Sequence, residues 1–158
     1  MDMPMHLLAE SKVDISCSVS RAFAFATNME RFAEWFPAVL SIESIDQLNH
    51  GQVGKQYLET VSVPVRRIRK ITLTVVESRQ DQLFVTEGAF PPLLPRMEIL
   101  FNSTGPDACQ VTWRMLSRNR SPIAKFTILP LAKSVMTKRA RAGLSKLKEK
   151  LEGRGSRS

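Results

Sequence analysis

Apolar positions recur along this chain with two spacings, and the places where the spacing changes predict its elements. From Ser11 to Ser18 they alternate, with Val13, Ile15 and Cys17 on one face and Lys12, Asp14 and Ser16 on the other. That is the two-residue period of a half-buried strand. Ser18 to Ser20 then offers a helix cap, and Ala22, Phe23, Ala26 and Met29 predict a short amphipathic helix ending near Asn28. A second short helix over 30–36 presents Phe32, Trp35 and Phe36 and is stopped by Pro37. From Val39 the two-residue period returns. It predicts strands over 39–45, 55–63, 66–78, 83–88, 96–103 and 109–117. Their punctuation is Asn49 to Gly51, Pro64, Arg79 to Gln82, a stiff apolar connection from Phe90 to Pro95, and Gly105 to Asp107.

The spacing changes again at the end. Ile128, Ala132, Val135, Met136, Ala140, Leu144, Leu147 and Leu151 are separated by three or four residues with one adjacent pair, which marks one face of a long helix. Ser121 and Pro122 make a good start, because serine caps and proline fits the first turn; Gly153 makes a good stop. Pro130 lies inside and is expected to kink or split the helix near Leu129. The expected order is a strand, two short helices, about six antiparallel strands and one long helix, in a single domain over 1–158 with loose ends at 1–10 and 153–158.

Three stretches then resemble a known family. ISCSVSRAFAFATNMERFAEWFPAV is similar to the first strand, helix pair and tryptophan-bearing entry to strand two of the START-like (SRPBCC) superfamily. GQVGKQYLETV resembles its glycine-led third strand, and CQVTWRM the strand before its terminal helix. The resemblance covers about 11–152 and is to the polyketide cyclase/dehydrase branch. It implies an α+β helix-grip fold: a curved antiparallel sheet of about seven strands around a long C-terminal helix, with a ligand space between them. Members bind lipids, sterols, polyketides, quinones and plant hormones, some as enzymes and many as carriers, so the fold does not settle the function.

Charge adds a question. The chain of 158 residues has net charge +8, but residues 114–158 hold 13 Lys/Arg against 2 Asp/Glu, while the part before them is mildly acidic. Lys138, Arg139, Arg141, Lys146, Lys148 and Lys150 are expected to flank the apolar stripe and, with Arg154 and Arg157, to form a positive surface. Such a surface suits an anionic membrane or an acidic partner, or is simply solvated. Pro130 and Gly143 are the expected bends of the helix. The second basic cluster, Arg66 to Lys70, contains no aromatic residue, which argues against specific nucleic-acid binding. Cys17 and Cys109 sit in alternating apolar runs and read as buried thiols, consistent with a reducing cytoplasm.

Candidate chemistry is sparse. His6 and His50 are not spaced with other ligands for a metal, and no nucleophile elbow, phosphate loop or dinucleotide fingerprint occurs; no cofactor is expected. Glu59 and Glu87 are the carboxylates expected at the ligand space, as acid or base, unless they pair with Arg66, Arg69 or Lys70 at a sheet end. Tyr57 is expected to orient a polar group of the ligand. Trp35, Phe84, Phe90, Met97, Trp113, Met115 and Met136 are candidate walls, each also explicable as plain core. The leading reading is therefore a carrier or sensor of a small hydrophobic molecule. The alternatives are a cyclase/dehydrase-type enzyme using a cavity carboxylate and Tyr57, and a partner-binding protein using its basic helix face.

Overall fold

A computed structural model describes residues 5–63 and 67–153; Pro64, Arg66, Arg154 and Arg157 lie outside them. The alternating runs become β1 (His6–Ile15), β2 (Val39–Ser44), β3 (Gln56–Val63), β4 (Arg67–Arg79), β5 (Leu83–Gly88), β6 (Pro95–Gly105) and β7 (Ala108–Ser117). They form one antiparallel sheet in the order β1-β7-β6-β5-β4-β3-β2. The chain thus meanders from β2 to β7, and β1 adds to the far edge, with His6 opposite Ser117 and Ile15 opposite Cys109. The stretch expected to be a loose leader is in part this edge strand. His6 to Glu10 lacks clean alternation because the register shifts between Leu7 and Ala9, and a bulge of this kind hides a two-residue period.

Helix α1 (Val19–Thr27) and a 3-10 helix (Met29–Glu34) link β1 at one edge to β2 at the other. Ser18 caps α1 by accepting from the Arg21 amide at 3.2 Å. The 3-10 turn gathers the aromatic residues: Phe32 packs edge-on to Trp35 at 4.8 Å and stacks with Phe36 at 5.0 Å, and Phe36 stacks on Trp113 of β7 at 4.8 Å.

Helix α2 (Pro122–Leu151) is one continuous helix. Pro130 does not split it. The lost donor belongs to the exposed first half, where solvent is at hand for the carbonyl left free. The apolar stripe read from sequence has two fates. Its second half, Ala140, Leu144, Leu147 and Leu151, is buried in the core. Its first half, Ile128, Ala132, Val135 and Met136, borders an internal space. The C-terminal end is clipped to the β1–α1 junction. Lys148 Nζ donates to the Asp14 carbonyl at 2.8 Å, Glu152 accepts from the Ser16 amide at 2.8 Å, and Arg21 donates to the Leu151 carbonyl at 2.8 Å.

Gly143 is a close-approach site. A Cβ there would stand 2.7 Å from Phe36 Cδ1, and the Phe36 ring is itself held between Phe32 and Trp113. Gly143→Ala is therefore expected to lower stability by about 1–3 kcal/mol through overpacking, although alanine is the better helix former. Urea melts check this; equal or higher stability would show that the Phe36 ring yields.

Candidate functional site

Between the concave face of the sheet and the first half of α2 lies a cavity of about 350 Å³, within the usual range for small-molecule sites. Its floor is built by inward-facing strand positions such as Val61, Ile71 and Leu73, and its far end by Phe32, Phe36 and Trp113. Phe90, Pro92 and Leu93 of the connection between β5 and β6 close one side, and Ile128, Leu131, Ala132, Val135 and Met136 of α2 form the roof. The connection is held by its carbonyls: Leu93 accepts from Ser117 Oγ at 2.6 Å, and Pro92 accepts from Asn119 Nδ2 at 2.6 Å. Among the described lining residues, the charged or hydroxyl-bearing side chains are Glu59, Thr86 and Arg139.

Glu59 and Arg139 are the ionisable side chains among the described lining residues, close enough for each charge to act on the other without an ion-pair contact. Burial pushes the Glu59 carboxyl up to about 7 from its ordinary value of 4.5, against the pull of the Arg139 guanidinium. No hydrogen bond from the described residues contributes to holding it charged. Burial likewise lowers Arg139, with Glu59 opposing, and Arg139 donates to the Ser62 carbonyl at 3.2 Å. Arginine remains cationic under ordinary conditions. The wall therefore offers one carboxyl poised to hold or release a proton near neutrality and one fixed positive donor, on an otherwise apolar surface.

Of the residues read from sequence, Glu59, Phe90, Met97, Trp113, Met115 and Met136 are placed on this cavity; Tyr57, Glu87, Trp35 and Phe84 are not. Tyr57 lies on the same strand as Glu59, two residues before it, and is fully buried. Its hydroxyl is 2.6 Å from His50 Nδ1, and burial raises its pKa above the ordinary value. The turn carrying His50 closes over it, so it meets that ring instead of the cavity. Glu87 is corrected as well. Thr86 and Gly88 are the cavity-side positions of β5, so Glu87 faces the other way. There it takes Arg96 Nη1 at 2.9 Å and lies 3.6 Å from Arg118; its partners come from β6 and the segment after β7 instead of the Arg66–Lys70 cluster. Trp35 and Phe84 are core residues.

Sequence reading missed Arg139. It sits three residues after Met136, four after Val135 and seven after Ala132, which is the stripe spacing. A cation at an inward position was the available signal, outweighed by the basic residues around it. Among the described residues no group of three His, Cys, Asp or Glu is placed to hold a metal ion.

The family profile described as polyketide cyclase/dehydrase and lipid transport matches residues 6–152. Among solved structures, a START superfamily protein from Mycobacterium smegmatis superposes with a TM-score of 0.74 at 13% identity, covering 92% of this chain and 97% of that one. The Zhui aromatase/cyclase from Streptomyces sp. R1128 gives 0.72 at 14% identity, covering 94% of each. The di-domain ARO/CYC StfQ from the steffimycin biosynthetic pathway gives 0.71 at 14% identity, covering 93% of this chain and 51% of that one. At such identities the likeness establishes the fold. A search of the curated proteins found no match.

Proposed function

This chain belongs to the polyketide cyclase/dehydrase and lipid transport family, and we propose that its cavity carries a small, largely apolar molecule with one polar head, held at Glu59 and Arg139. The observation that carries this reading is the lining: an apolar wall interrupted by one carboxyl, one guanidinium and one hydroxyl. Apolar burial supplies the affinity, at about 25 cal/mol per Å² before ordering terms. The head group fixes orientation, because an unsatisfied buried polar group is costly. Neutral Glu59 donates to a carbonyl or hydroxyl oxygen, and Arg139 donates to the same head.

Titration of the purified protein with an environment-sensitive fatty dye tests the reading. Affinity is expected to change less than about twofold between low and high salt, because apolar contact is not screened. Ala132→Trp, which fills the cavity from the half-buried stretch of α2, is expected to weaken binding at least about tenfold, equivalent to about 1.4 kcal/mol. Absence of saturable binding, or binding that Ala132→Trp leaves intact, would remove the carrier reading. Where saturable binding is found, native mass spectrometry of protein from its own host identifies the occupant.

A second reading has one observation in its favour. A carboxyl with a pKa of about 7 is suited to general acid–base work at neutral pH. In that case Glu59 takes a proton from a carbon next to a ligand carbonyl and Arg139 holds the oxygen on which negative charge develops. Tyr57 has no part in it, being turned to His50. Conversion of a bound polyketide-like molecule by the natural protein and not by Glu59→Gln would establish this reading; release of the molecule unchanged supports the carrier.

A further inference from the structure

The first half of α2 is apolar on two sides. Its inner stripe faces the cavity. On the outer side Ile123 and Phe126 are 74% and 78% exposed, and Leu131, at the cavity rim, is 58% exposed. Large apolar side chains clustered on an exposed helix face mark a contact surface, because a face meeting only water gains nothing from them. Cations surround them. Lys125, Lys133 and Lys138 are exposed on the same stretch. Arg67 and Arg69 are exposed at the start of β4 and share, by the two-residue period, the sheet face of the cavity residues Ile71 and Leu73. The sequence holds no Asp or Glu between Asp107 and Glu149.

Of the helix cations expected to form the positive surface, Lys138, Arg141 and Lys146 are exposed, and the other three are engaged elsewhere. Arg139 faces the cavity, Lys148 is taken by the Asp14 carbonyl and Glu152, and Lys150 lies 3.5 Å from Glu34. Among the described residues, exposed cations and large exposed apolar side chains coincide along the first half of α2 and, around Ile68, at the start of β4. Gly143, expected as a bend, is instead the contact with Phe36.

We propose that the first half of α2, together with the start of β4, docks on an anionic lipid bilayer. Ile123 and Phe126 enter the boundary between headgroups and acyl chains, and Lys125, Lys133 and Lys138 lie at the phosphates. Charge selects this occupant. A second copy meeting the patch about a two-fold axis sets these cations against themselves, whereas anionic lipid neutralises them. The mode is interfacial: among the described residues no helix is long and apolar enough to cross a membrane. Because Leu131 belongs to both the patch and the cavity rim, a docked molecule opens its cavity toward the acyl phase. That consequence rests on the carrier reading; the docking itself does not.

Sedimentation of the full chain with vesicles of phosphatidylcholine alone, and with added phosphatidylglycerol, tests the proposal. Binding is expected to favour the anionic vesicles and to weaken as salt rises. Lys125→Glu and Lys133→Glu are each expected to reduce it about fivefold or more, and Phe126→Ser about tenfold. All three leave the melting temperature unchanged, because these side chains are exposed. Lys146→Glu, about 30 Å along the helix from Phe126, has the smallest effect. Phe126→Trp should shift its emission to the blue on anionic vesicles. Equal partitioning onto both kinds of vesicle, partitioning onto neither, or wild-type binding by Phe126→Ser overturns the proposal. So does a concentration-dependent dimer that Phe126→Ser dissolves, which assigns the patch to a second copy. The dye titration is unaffected by any of these outcomes, so docking and ligand binding stand or fall separately.

Discussion

Leu147→Ala is expected to destabilise the protein by about 2–5 kcal/mol, the range for emptying a fully buried leucine site. Leu147 is fully buried and belongs to the same core cluster as Leu144 and Leu151. Around it α2 is fixed from three sides: by β1, by the Phe36 ring under Gly143, and by the clips at Asp14, Ser16 and Arg21. Little room exists for neighbours to collapse into the void, which places the loss toward the upper part of the range. Urea or thermal melts measure it. A loss below about 0.5 kcal/mol, the level of an ordinary surface substitution, would mean that the second half of α2 does not hold the sheet. The contrast lies on the same helix: Ile123→Ala, in the exposed first half, is expected to stay within about 0.5 kcal/mol of the natural protein. One helix thus supplies stability with its second half and leaves its first half free for the cavity and the surface beyond it.

Glu59→Gln is expected to make the protein more stable than the natural chain above pH 7. The Glu59 carboxyl has its pKa raised by burial from 4.5 to about 7 in the folded state. Below about 4.5 both folded and unfolded chains hold the proton. Between about 4.5 and about 7 only the folded chain does, so stability falls as pH rises through that window and is level beyond it. The full loss is at most about 3 kcal/mol at 1.36 kcal/mol per unit, and smaller to the extent that cavity water solvates the carboxylate. Glutamine keeps the shape and removes the titration. Melts at pH about 4 and about 8 should therefore show a decline in the natural protein that is missing in Glu59→Gln. Parallel pH dependence in the two would show that Glu59 titrates at its ordinary value and is not the poised group of the cavity. A destabilised carboxyl is a liability to the empty protein, and a ligand head that hydrogen-bonds it relieves that liability. Ligand is accordingly expected to raise the melting temperature more in the natural chain at neutral pH than in Glu59→Gln.

Local pattern alone determined the elements. Alternation along β4 to β7 and the three-and-four spacing of α2 each depend on a side-chain period that the backbone imposes, so strand and helix were legible without a partner. The family resemblance added the way they assemble. The sequence left three things open. Which side of β5 faces inward was misread at Glu87, because Leu83 and Val85 are also apolar and both faces of that strand carry burial; register with β4 and β6 decided it. Tyr57 and Glu59 share a face and cannot be told apart by period; only the turn carrying His50, folding over one end of that face, separates the covered residue from the one at the cavity. Arg139 and the lysines of α2 look alike in a run of basic residues. Their fates diverge because the helix meets the sheet at one end and stands over the cavity at the other. Period is a property of a few neighbouring residues, whereas burial, pairing and a carboxyl held near neutral pKa depend on residues far apart in the chain that only the folded sheet and helix bring together.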